Sequence, residues 1–177
     1  MRNNILKMVY SAVFTALGVV LPFAFHAVPN AGSVLLPMHI PVLLCGLICG
    51  FPYGLSCGVL TPILSSLLIG MPQAASLPGM LCELAVYGLV SSLLMQFVRT
   101  KNNYADICIA LISAMLSGRI VYGMVNALIF SVGAYSFKLW ATAAFITSIP
   151  GIIAQIIVIP ILIVSLQKAR LIDKRYA

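Results

Sequence analysis

Between residues 36 and 72 the chain reads LPMHIPVLLCGLICGFPYGLSCGVLTPILSSLLIGMP, with no Lys, Arg, Asp or Glu but with five prolines and five glycines. Gly46, Gly50, Gly54 and Gly58 recur every four residues, which places them on one face wherever the chain is helical. Pro52 has to interrupt that helix, because it lacks the amide donor and its ring clashes with the preceding turn. The pattern predicts two apolar helices joined by a tight, uncharged turn at 50–54, with small residues letting the backbones approach closely. The far ends open into His39-Ile40-Pro41 on one arm and Gly70-Met71-Pro72 on the other. Such a hairpin has its closed end on one membrane face and its chemistry toward the other.

The rest of the chain makes lipid the only workable solvent. Hydrophobic residues make up 62% and charged residues 7% of its 177 residues, and the mean hydropathy is +1.13. Soluble domains carry about 25% charged residues. At about 20 apolar residues per crossing, the length allows five or six spans. The expectation is an all-α integral membrane protein of six transmembrane helices, one domain over 1–177. The net charge of +7 is not a nucleic-acid signal, because the basic residues flank apolar spans, where they set orientation and meet anionic lipid. Cys45, Cys49, Cys57, Cys82 and Cys108 lie in or beside apolar stretches and read as small apolar residues, so no metal site or cofactor is expected. The first span lacks a small-residue cleavage site and reads as a retained helix.

In chain order the expected spans are 5–22, 36–49, 54–69, 79–98, 105–132 and 139–166, with Pro62 inside the third and Pro150 and Pro160 inside the sixth. Two connections, 23–35 and 70–78, lie on one side and carry no basic residue. Arg2, Lys7, Arg99, Lys101, Lys168, Arg170, Lys174 and Arg175 gather on the other side, which leaves only Lys138 opposite. The positive-inside rule then makes both termini cytoplasmic and the two connections external.

Two charges fall inside the spans, Glu83 and Arg119. Each costs about 2.5–3.5 kcal/mol at a helix centre, so each should face the bundle interior or a cavity. They either pair with each other or line a substrate cavity. Asn126 lies seven residues after Arg119 on the same face, and Tyr122 lies on a neighbouring stripe. Together they offer an amide, a phenol and a cation to one small polar ligand, with His39 and Gln155 as further candidates. In the first span Ala12 and Ala16 share a face, which serves either ordinary helix packing or docking of another subunit. The chain has no GxxxxGK[ST] phosphate loop, no G-x-S-x-G nucleophile and no H-E-x-x-H pair, so neither ATP binding nor an enzyme is supported.

Across nearly its whole length the sequence resembles the substrate-binding S components of energy-coupling factor (ECF) vitamin transporters. The likeness rests on the small size, the six spans, the A-x-x-x-A of Ala12 and Ala16, and above all the run from Pro37 to Pro72 followed by ELAVYGL from Glu83. That run looks like the broad group that includes pantothenate, folate, cobalamin and pyridoxine-type members. The resemblance implies that a vitamin or vitamin-like precursor is bound from outside and delivered inward with a transmembrane coupling subunit and two cytosolic ATPases. It also implies that Ala12 and Ala16 contact the coupling subunit and that 23–35 and 70–78 are external gates. Cobalt and nickel members are similar in an N-terminal Met-His-Ile segment. Here Met38-His39-Ile40 is internal, so the terminal amine ligand does not exist.

Arg119 as a lone buried cation tilts the substrate toward a pantothenate-like acid, while Glu83 suits a donor-rich edge such as a pterin or deazapurine. The alternative to an ECF component is a small secondary carrier that works without ATPases, with Glu83 cycling protons and Arg119 modulating it.

Overall fold

The computed structural model describes residues 2–24, 34–129, 142, 146 and 148–172. Most of the 23–35 connection, the segment expected to open the sixth span and the basic residues Lys138, Lys174 and Arg175 lie outside the described residues. The described residues form six helices: α1 Arg2–Ala24, α2 His39–Cys49, α3 Tyr53–Ile69, α4 Leu77–Phe97, α5 Asn103–Ile129 and α6 Ile149–Lys168. No strand occurs among the described residues.

Four of these helices, α1, α4, α5 and α6, are long and apolar enough to cross a membrane. Of the two spans expected at 36–49 and 54–69, the first is shortened to the 11 residues of α2, while α3 keeps 17. At 1.5 Å per residue they reach about 16 and 25 Å. The cause is local. Leu36 holds a left-handed backbone (φ 52) ahead of α2, and Gly50 ends α2 at φ 74 with its N–H donating to the Gly46 carbonyl at 3.2 Å. Pro150 is also placed differently from the expectation. It sits in the first turn of α6 instead of its interior, where the missing N–H is no loss.

The shortest helix is the hub. α2 packs against each of the other five, which follow one another around it: α1 beside α3, α3 beside α4, α4 beside α5, α5 beside α6. Nine of its eleven residues are buried, so α2 has no lipid face. The outer helices supply that face with exposed apolar side chains such as Val13, Leu67, Phe97, Ile120 and Ile157.

Glycine sets the closest crossing. A Cβ on Gly54 would lie 2.6 Å from the Gly88 carbonyl oxygen and 2.7 Å from the Gly46 Cα. The approach expected within the hairpin therefore takes in a third helix, α4. On the other flank α1 faces the hairpin with Ser11 and Thr15. The Ser11 hydroxyl donates to the Tyr53 carbonyl at 3.4 Å, and the Thr15 hydroxyl donates to the Ser11 carbonyl at 2.9 Å. Ala12 and Ala16, one position further round, stay exposed.

Candidate functional site

One turn apart on α4, Glu83 and Tyr87 point toward the meeting of α2 and α5. The Tyr87 hydroxyl donates to Glu83 Oε1 at 3.0 Å. Arg119 Nη1 from α5 reaches the same oxygen at 3.3 Å, and His39 Nε2, from the first residue of α2, stands 3.7 Å away. The His39 and Tyr87 rings meet edge to face with centroids 5.4 Å apart. Tyr87 fits only because Gly118 has no side chain, since a Cβ there would strike the ring. Glu83 is 2% and Arg119 6% exposed, and His39 and Tyr87 are fully buried. Charges this deep persist when they are paired and hydrogen-bonded, and three elements contribute to that pairing here.

A cavity of about 390 Å³ opens against this cluster. Its floor includes His39, Glu83, Arg119 and Tyr122, and its apolar wall Pro22, Leu36, Met38 and Met80. Met71, Pro72, Gln73 and Ser76 close it from the connection between α3 and α4. That connection is tied down locally. Ser66 Oγ donates to the Pro72 carbonyl at 3.0 Å, and the Leu77 N–H donates to the Gln73 carbonyl at 3.0 Å. A mostly apolar recess with a few convergent polar groups is the usual form of a small-molecule site.

Of the six residues singled out from sequence, four line this cavity: Glu83, Arg119, Tyr122 and His39. Asn126 and Gln155 do not. Asn126 is 2% exposed, because Gly79 brings the backbone of α4 against it: a Cβ on Gly79 would lie 2.7 Å from Asn126 Oδ1. Gln155 is fully buried on α6, and neither of its amide atoms finds a hydrogen-bond partner among the described residues. Tyr87 is not among the candidates read from the sequence, where it figures only within ELAVYGL, and its part in the cluster was missed. The signal was its place four residues after Glu83, one turn along the same helix face. Met71, Gln73, Ser76 and Met80 carried no such signal. Among the described residues no group of three or more His, Cys, Asp or Glu is placed to hold a metal.

A second recess, of about 720 Å³, runs along the outside of α1 and α3. Ala12, Ala16, Val19, Leu60, Leu64 and Leu68 line it. It is apolar and faces away from the cavity.

Searches of curated proteins and of solved structures return no match. The family model for the substrate-specific component of ECF transporters matches residues 6–163, from the first turns of α1 well into α6. The chain belongs to the family of ECF transporter substrate-specific components.

Proposed function

We propose that this multi-pass membrane protein captures a vitamin or vitamin-like precursor from outside the cell in the cavity above Glu83, Arg119, His39 and Tyr122. Delivery inward then depends on a transmembrane coupling subunit and two cytosolic ATPases. The observation that carries the reading is the buried polar cluster at the floor of a largely apolar cavity, in a chain of this family. In this reading the chain crosses a bacterial plasma membrane six times with both termini inside. Support comes from Lys7, Arg99, Lys101, Lys168 and Arg170, which all belong to one end of the helices, opposite the cavity. The exposed recess beside Ala12 and Ala16 is the face offered to the coupling subunit.

The ion pair changes the substrate argument. A lone buried Arg119 favours an acid, but Glu83 at 3.3 Å already balances that charge. The floor better suits a small polar molecule of little net charge, with an apolar part against Met38, Met71 and Met80. A pantothenate-like acid is one member of the test panel and no longer its favourite.

The test is to purify the chain from cells grown in rich medium and identify any retained small molecule by mass spectrometry. A vitamin at one per chain supports the proposal and names the substrate. An empty protein that gains no thermal stability from a panel of vitamins and precursors overturns it. Uptake that a protonophore abolishes and ATP depletion spares would turn the reading to a secondary carrier.

A further inference from the structure

A second polar recess, of about 480 Å³, lies at the other end of α2. We infer that it is a binding site for the phosphate-bearing headgroup of an anionic phospholipid. Lys7 at the start of α1 and Arg99 just after α4 stand on its rim, and Gln96 and Gln167 add amide donors. Below them the lining turns apolar, with Leu47, Met95 and Ile163, as an acyl chain entering between helices requires. The recess is bounded on four sides by α1, α2, α4 and α6, and it sits at the end of the bundle where the described surface cations collect.

Charge decides which ligand fits. The carbonyl end of α2, at Cys49 and Gly50, also borders the recess and opposes an anion with roughly half a charge. Two full cations outweigh it. Basic pockets between helices on the cytoplasmic side are recognised sites for anionic headgroups. The apolar depth argues for a lipid over a free anion, which would fill only the rim.

The test compares thermal unfolding of the purified chain in detergent with added phosphatidylglycerol, with phosphatidylcholine and with inorganic phosphate. The expected result is saturable stabilisation by phosphatidylglycerol alone. Its apparent affinity should weaken about tenfold to thirtyfold in Lys7→Gln/Arg99→Gln and stay unchanged in Lys101→Gln, which removes a cation outside the recess. Equal stabilisation by phosphatidylcholine, an equal loss in Lys101→Gln, or saturation by phosphate alone would each overturn the inference. So would stabilisation seen only with a coupling subunit and with no lipid, because the recess would then belong to a protein partner. If the double variant is not recovered folded, photo-crosslinking of the wild-type chain with a diazirine phosphatidylglycerol decides. Label concentrated on the peptides of Tyr10, Met95 and Ile172 supports the site, and label spread evenly around the bundle rejects it.

Discussion

A carboxylate and a guanidinium 3.3 Å apart, each almost without solvent contact, form a pair that is costly to separate. Glu83→Gln takes the anion from beside Arg119 while the arginine stays buried, and breaking such a pair costs about 3–5 kcal/mol. Arg119→Gln should cost a similar amount. The double variant should lose much less than the sum of the two, because it leaves neither charge stranded. Chemical unfolding in detergent measures all three, and losses that add to within about 0.5 kcal/mol would show that the two residues are not coupled. Tyr87→Phe removes only the hydroxyl that donates to Glu83 at 3.0 Å and keeps the ring over Gly118. It should cost about 1.5–3 kcal/mol and leave the fold intact, and a loss larger than that of Glu83→Gln would mean that the hydroxyl holds more than this one contact. The cost of burying charge made Glu83 and Arg119 legible in the sequence. Tyr87 and His39 were harder to read, because a phenol and an imidazole occur in apolar helices for many reasons and only their meeting at one oxygen gives them a shared role. Asn126 lies away from the cavity for the converse reason. Helical spacing gives the face a residue occupies but not whether a neighbouring glycine has drawn another helix across it, as Gly79 does over Asn126.

The helix α2 would be too short to cross a bilayer core of about 30 Å if lipid surrounded it. It avoids that requirement because the other helices surround it and a polar recess meets each end: the cavity at His39 and the basic recess at Gly50. Irregular backbone at membrane depth is tolerated where protein buries it or a cavity borders it. The uncharged run at 36–72 made the hairpin legible, since proline and glycine punctuate it on any reading. The close crossing of the hairpin with α4 was not legible, because it depends on Gly88, one of two glycines in α4, which no repeat marks. Gly88→Ala tests that dependence cleanly. Alanine is the better helix former by about 1 kcal/mol, so without a close crossing the substitution should stabilise. With the Gly54 carbonyl in the way, it should destabilise by about 1–3 kcal/mol. Gly70→Ala is the comparison, because nothing lies within 4 Å of its Cβ and only its left-handed backbone (φ 75) resists the change, at about 1–2 kcal/mol. Thermal unfolding of Gly88→Ala at or above the wild-type temperature would mean that the three helices do not cross where these glycines place them.

At the scale of the whole molecule, the cavity and the outer recess occupy separate surfaces. The cavity draws its polar floor from α2, α4 and α5, while α1 reaches it only through Pro22. The outer recess belongs to α1, α3 and the turn between α2 and α3, and its Ala12 and Ala16 are exposed. In lipid an apolar recess gains nothing from the hydrophobic effect when a partner helix fills it, because acyl chains are just as apolar. Association there depends on close packing, and small residues permit it. Ala12→Leu and Ala16→Leu should therefore act through shape alone. Each turns a methyl into an isobutyl group in the recess without touching Glu83, Arg119 or the cavity walls. Substrate affinity, read by thermal shift or calorimetry on the purified chain, should stay within about twofold of wild type, a change of about 0.4 kcal/mol. Uptake into cells that supply the coupling subunit and both ATPases should fall to background, and copurification of those subunits should fall with it. If affinity and uptake drop together, α1 shapes the cavity and the two surfaces are not separate. If uptake survives both leucines, the partner docks on another face and the recess is filled by lipid.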